Sequence, residues 1–266
     1  MSIKNQNTEF AAASLESRLQ SASQSPVIGI IGAMEEEVTF LRDKLEDRED
    51  MKLAGYEFHS GILAGQPVVL LKSGIGKVNA AIGTAILLER FNPLCIINTG
   101  SAGGFASDLD IGDVVISSEV RQHDFDLTIF GYEPGQVPQM PPAFTPDPKL
   151  VAIAEHSIHK VQDVKTVMGL IATGDIFMND PQKVADTREK FPQMLAVEME
   201  AGAIAQTCFR FEVPFIVVRA LSDIAGKESS ISFEEFLEQA GIHSAHTVIE
   251  MVREVGELKE QLENRS

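Results

Sequence analysis

The sequence predicts one α/β domain in three layers, with helices packed on both faces of a central β-sheet. Three observations carry that expectation. Val27-Ile-Gly-Ile-Ile31, Leu94-Cys-Ile-Ile97 and Phe215-Ile-Val-Val218 are short apolar runs, the form of strands buried on both faces. Between them lie segments whose apolar residues recur three and four apart, the helical spacing. The glycines, serines and acids that sit oddly in a core collect just after the runs, where ligands of such sheets bind.

Taken in order, residues 1–25 are rich in Ser, Ala, Gln and Asn and have little to bury, which predicts a disordered or loosely helical extension. Lys4 and Arg18 are balanced there by Glu9 and Glu16, unlike an Arg-rich transit peptide, and no secretory pattern is present, so cytosol is the expected compartment. Residues 26–266 are expected to form the single folded domain. After the first strand, Val38, Leu41 and Leu45 mark a helix; Tyr56 to Leu63 alternates like a strand, and Gly65-Gln-Pro67 turns into a second, Val68 to Lys72. Ser73-Gly-Ile-Gly-Lys77 leads into a helix over Val78 to Phe91, and Leu94 to Ile97 ends in Asn98-Thr-Gly-Ser-Ala-Gly-Gly104. A strand over Asp113 to Ser117 precedes a proline-dense connection, Arg121 to Pro148. Asp147-Pro148 and Asp180-Pro181 each place an N-cap acid before a proline at the first helical position. A strand around Val167 to Ala172 lies between them, and Phe215 to Val218 runs into Arg219-Ala-Leu-Ser-Asp223. Ser232-Phe-Glu-Glu235 has capping-box spacing and opens a final helical region, where Ile242, Ala245, Ile249, Val252 and Val255 trace an apolar face.

The totals exclude several classes. A net charge of −17 removes the cationic footprint of nonspecific nucleic-acid binding, but leaves an uncharged nucleoside open. No apolar run approaches the length that spans a bilayer. Cys95 and Cys208 lie far apart in apolar runs, which fits buried thiols in a reducing compartment.

Individual motifs are weak. Gly74-Ile-Gly76-Lys77 is no P-loop, because Leu71 stands where the first glycine belongs; Asn79 breaks the dinucleotide-binding fingerprint. Thr99-Gly-Ser101 is no nucleophile elbow. His156 and His159, three apart on a helix, lack a third ligand, and His123-Asp-Phe-Asp126 has no recognised metal spacing, so no metal is expected. Glu198 and Glu200 are the sharpest feature, two carboxylates at a joint between apolar segments. Extended chain would turn both the same way, toward a pocket where a ribose diol could donate to one of them. Taken alone, one solvent-facing acid and one helix cap is the plainer reading.

Five segments in order change that balance: Ile30-Ile-Gly-Ala-Met-Glu-Glu-Glu37, Lys72-Ser-Gly-Ile-Gly-Lys77, Ile97-Asn-Thr-Gly-Ser-Ala-Gly-Gly104, Val197-Glu-Met-Glu-Ala201 and Arg219-Ala-Leu-Ser-Asp223. The chain closely resembles the 5′-methylthioadenosine/S-adenosylhomocysteine nucleosidases of the purine nucleoside phosphorylase superfamily, from about Val27 to Val255. The resemblance implies a nucleoside phosphorylase-like αβα fold around a central mixed β-sheet. It implies hydrolysis of an N-glycosidic bond through an oxocarbenium-like transition state, with an adenine nucleoside and water as the small-molecule partners and no cofactor.

By that resemblance Asp223 is the general acid toward the purine, held by Ser222, and Glu37 is the base for water. Glu200 binds the ribose hydroxyls with Met199 packing on the sugar, and Glu198 supports it. Phe177 stacks on adenine, and the Met178 backbone pairs with the base edge, although many relatives carry Ile there. Ser101 and Gly103 line the base and water region, Arg219 lies near the water site, and Met34, Ile75 and Phe233 form the alkylthio pocket. Leu127, Phe130, Tyr132 and Pro138 are expected to cap the pocket of a partner subunit in a homodimer. Three rivals stand beside this reading: a phosphorylase, a nucleosidase for another adenine nucleoside such as aminodeoxyfutalosine, and a catalytically idle nucleoside-binding protein.

Overall fold

The computed structural model of the chain describes residues 13–21, 26–161, 164–227 and 229–264. Strands β1 (Ile28–Gly32), β4 (Gln66–Lys72), β5 (Ile96–Gly104) and β9 (Phe215–Ile224) run parallel at its centre. Each grows from one of the apolar runs, and β1, β5 and most of β9 are buried throughout. An antiparallel flank of β2 (Glu46–Leu53) and β3 (Tyr56–Leu63) extends the sheet beyond β4. On the other side lie β8 (Met194–Glu198), β7 (Thr166–Thr173) and β6 (Val114–Gln122). Because β9 pairs with both β6 and β5, the run β5-β8-β7-β6-β9 closes on itself. The mixed sheet is therefore curled into a ring at one end and open at the other.

Side-chain alternation along the strands separates two apolar layers. Ile216 and Val218 join the core beneath α2 (Glu35–Asp43), α4 (Pro148–Val161) and α7 (Ser229–Glu263). Phe215 and Val217 join the core beneath α3 (Lys77–Phe91) and α6 (Ala201–Phe211). A third cluster packs α5 (Pro181–Lys190) on β7 and β8 through Val184, Leu170 and Met194. Both Asp-Pro starts form as expected: Asp147 Oδ1 accepts the Lys149 and Leu150 amides, and Asp180 Oδ1 accepts that of Gln182. Among the described residues no helix is long and apolar enough to cross a membrane.

Three elements differ from the expectation. Residues 15–21 of the supposed extension form helix α1 (Leu15–Ser21), with Leu15 and Leu19 buried. Two leucines four apart are enough when the site that receives them is already apolar, and two polar ties fix the helix: the Leu15 amide donates to Asp147 Oδ2 at 3.1 Å, and Arg18 Nη2 donates to the Pro93 carbonyl at 2.8 Å. The remaining residues of 1–25, apart from 13 and 14, lie outside the described residues. Strand β2 was not expected because Glu-Asp-Arg-Glu-Asp-Met-Lys-Leu has no apolar run; it is an exposed edge, where charge protects against stray pairing. Finally, α7 starts at Ser229, so Ser232 to Glu235 lie inside the helix and not at its cap.

Candidate active site

The carboxyl ends of β1, β4, β5, β7, β8 and β9 converge on one cavity of about 280 Å³. Its acids are Glu37, Glu198, Glu200 and Asp223, which come from four different strand ends and helix starts. All four are buried, at 6% exposure or less. Desolvating a carboxylate costs several kcal/mol unless donors compensate, so the partners of each define its task.

Glu37 is the third residue of α2 and reaches back over the helix start. Its Oε2 accepts the Ala33 and Met34 amides at 2.7 and 3.2 Å; its Oε1 accepts the Ser101 amide at 2.8 Å and the Ser101 hydroxyl at 3.0 Å. Both oxygens thus lie between the β1 and β5 ends. Gly100 makes this possible, with φ +146°. A Cβ there would stand 2.5 Å from Glu37 Oε1 and 2.4 Å from Arg219 Nη1.

Glu198 and Glu200 are both buried, so the plainer reading of one solvent-facing acid does not hold. They nevertheless diverge. Glu198 Oε2 accepts the Glu200 and Ala201 amides at 2.9 and 2.7 Å, capping α6, and also Arg219 Nη2 at 2.6 Å. Thr173 Oγ1 donates to the other oxygen. Glu200 has fewer donors: the Gly76 amide at 2.9 Å, with Arg219 Nη2 at 3.9 Å. Burial, then the Glu198 charge beside it, push the Glu200 carboxyl well above the ordinary range. Arg219, expected near the water site, is not in the cavity lining; it is fully buried, donates to Glu198, Asn98 Oδ1 and the Thr99 carbonyl, and brings Nη1 to the same face of Gly100 as Glu37 Oε1. It braces the acids from the core.

Asp223 ends the buried part of β9. Burial pushes its carboxyl up to about 6, opposed by the Ser222 hydroxyl, which donates to Oδ1 at 3.0 Å. Gly103 on the paired strand lets it in close, since a Cβ there would lie 3.1 Å from Asp223 Oδ2.

The remaining wall is apolar. Phe177 and Phe233 meet edge to face with ring centroids 5.6 Å apart at the mouth. Met34, Ile75 and Met199 line the same space, and Met178 is buried beside them with its carbonyl accepting the Gly226 amide at 3.1 Å. Sequence reasoning missed Ala33, Ala102, Ile176 and Val197 in this wall. Small and aliphatic residues at strand ends carry no chemical signal that separates lining from core. Leu127, Phe130, Tyr132 and Pro138 take no part in this chain's cavity; Phe130 is 70% exposed on a short 3-10 turn, Thr128–Phe130. Among the described residues no three His, Cys, Asp or Glu side chains are grouped to hold a metal ion.

A mixed sheet closed at one end, with buried acids at its strand ends around a largely apolar cavity, is the arrangement of a nucleoside-processing enzyme. In keeping with that, residues 27–253 match the phosphorylase superfamily. A 5′-methylthioadenosine/S-adenosylhomocysteine nucleosidase of Geobacillus sp. (strain WCH70) is 62% identical over 85% of this chain and 97% of its own length. The nucleosidase of that kind from Colwellia psychrerythraea 34H, solved in complex with adenine, superposes with a TM-score of 0.84 at 55% identity, covering 86% of this chain and 95% of that one. The Neisseria meningitidis nucleosidase in complex with methylthio-immucillin-A gives 0.84 at 45% identity, covering 86% and 99%. The chain belongs to the phosphorylase superfamily and, within it, to the 5′-methylthioadenosine/S-adenosylhomocysteine nucleosidases, which are N-glycosyl hydrolases.

Proposed function

We propose that the chain hydrolyses the N-glycosidic bond of 5′-methylthioadenosine and S-adenosylhomocysteine, releasing adenine and the 5-alkylthioribose. The observation that carries this reading is the meeting of Glu37, Glu200 and Asp223 in one cavity. In the proposed reaction Asp223 delivers its proton to the purine as the C1′–N9 bond breaks and the bonding pair moves into the ring. A water oxygen bonds to C1′ from the Glu37 side and gives its proton to Glu37, the two-carboxylate division of an inverting glycoside hydrolase. Of the four donors on Glu37, only the Ser101 hydroxyl can rotate away to admit that water. Glu200, poorer in protein donors than Glu198, accepts from the ribose diol. Phe177 offers its face to adenine, Met178 its backbone to the base edge, and Met34, Ile75 and Phe233 receive the alkylthio group.

Water is favoured over phosphate by the lining. Among the described residues no Lys or Arg faces the cavity, and an anion would enter beside buried carboxylates. An adenine-release assay on methylthioadenosine, adenosylhomocysteine, adenosine and inosine, with and without phosphate, tests this. Undiminished turnover of the first two without phosphate is expected; strict phosphate dependence would replace hydrolysis by phosphorolysis.

The working unit is a homodimer on this reading. Ile129 and Phe130 are 87% and 70% exposed at the tip of the 121–148 connection, and Val78, Ile82 and Phe211 expose further apolar surface on α3 and α6. Leu127, Phe130, Tyr132 and Pro138 then close the neighbouring subunit's alkylthio pocket. The domain so assembled, residues 26–266 with helix α1 docked on it, works in the cytoplasm and needs no cofactor.

A further inference from the structure

Helix α3 begins without a cap of its own. Its N-cap is Gly76, at φ +94°, so the first amides of the helix must find acceptors elsewhere. The Gly76 amide goes to Glu200 Oε1 at 2.9 Å. The next, that of Lys77, goes to Asp175 Oδ1 at 2.8 Å. Asp175 is remote in sequence, in the loop after β7 and two residues before Phe177. Asp124 joins the same two loops a second time: Oδ1 accepts Lys77 Nζ at 2.6 Å, and Oδ2 accepts the Asp175 amide at 2.9 Å. This ion pair is largely sheltered, its side chains 19% and 17% exposed. The clamp needs glycine at 76, where a Cβ would stand 3.1 Å from Asp175 Oδ1.

We propose that Asp175 is a positioning residue, which through the Lys77 amide sets the spacing between the Phe177 loop and the loop that anchors Glu200. The inference rests on the reading of Phe177 as base platform and Glu200 as sugar carboxylate. One nucleoside must satisfy both at once, and small misplacements of such groups are felt strongly in the bound complex. Asp175 touches neither group.

The test compares Asp175→Ala and Asp175→Asn in the full chain by methylthioadenosine kinetics, equilibrium adenine binding and thermal unfolding. Asparagine keeps an oxygen acceptor for the Lys77 amide, so its KM should stay within about twofold of wild type. Alanine should raise KM roughly tenfold with kcat altered less than about threefold. Adenine, which engages only the Phe177 side, should lose less than about twofold in affinity. A lower Tm with unchanged KM reduces Asp175 to a helix cap and overturns the proposal. Equal losses in the two variants, or for adenine and nucleoside alike, do the same. If the alanine variant does not fold, Lys77→Met decides: it removes the Nζ bonds to Asp124 and to Gln122 Oε1 while keeping the Lys77 amide on Asp175, and should raise KM at least about threefold, an unchanged KM being the contrary result. A wild-type chain that releases no adenine refutes the hydrolase reading; an active wild type with a silent Asp175→Ala refutes only the positioning role.

Discussion

At the scale of single residues, Asp223 carries opposed demands. On the proposed reading it is the general acid, which needs a proton at working pH, and burial favours one by holding the carboxyl near 6. Because the protonated form is the active one, kcat/KM should fall as pH rises through about 6, read from a pH–rate profile of the free enzyme. The stability sign follows from the same shift. A carboxyl raised from 3.8 to about 6 favours the folded state fully below 3.8, and that advantage is lost as pH climbs through 6. Asp223→Asn should therefore lose roughly 10²–10⁴ in turnover. At pH 8 it should also unfold at higher urea than wild type, by up to about 3 kcal/mol. Glu37→Gln differs. All four contacts of Glu37 are donors to it, so an amide nitrogen must face N–H groups, and stability should drop by about 1–3 kcal/mol along with activity. Chemical denaturation of the two variants side by side distinguishes them. The identity of both acids was legible in the sequence; the donors on Glu37 were not, since two of the four come from Ser101, far away in the chain.

At the scale of elements, the Glu198–Arg219 pair ties β8 to β9 behind the cavity. Both side chains are at most 2% exposed, and removing one leaves an uncompensated buried charge. Glu198→Ala should cost about 3–5 kcal/mol in urea unfolding, a loss too large for a surface pair. Helix α1 makes the contrasting case. It sits against Asn92, Pro93 and Asp147, at the amino ends of β5 and β9, whereas the cavity lies at their carboxyl ends. Leu15→Asp should undock it and lower Tm by a few degrees, on the order of 1 kcal/mol or more, with KM and kcat unchanged. Strands β1, β5 and β9 could be read from the sequence because burial on both faces demands an unbroken apolar run. Helix α1 and edge strand β2 could not, because each is stabilised by what it packs or pairs against more than by its own composition.

At the scale of the whole molecule, the ring β5-β8-β7-β6-β9 and the parallel pairing of β1 with β5 gather acids that lie up to 186 positions apart, Glu37 and Asp223. The exposed apolar surface of the 121–148 tip and of α3 and α6 leaves the monomer an unfinished object on the proposed reading. A solution mass of twice 29.0 kDa is expected; a fully active monomer would remove the dimer and the roles given to Leu127, Phe130, Tyr132 and Pro138.

The sequence by itself determined the α/β class, the central strands, the family and the four acids of the cavity, because each rests on local pattern or on short motifs in fixed order. Only the tertiary structure decided that Arg219 is buried against Glu198, Asn98 and Thr99 and that Glu198 and Glu200 draw on different donors. It also decided that residues 15–21 are part of the folded unit. Those outcomes depend on which donors and apolar surfaces meet across the fold, and a one-dimensional pattern holds no record of such distances.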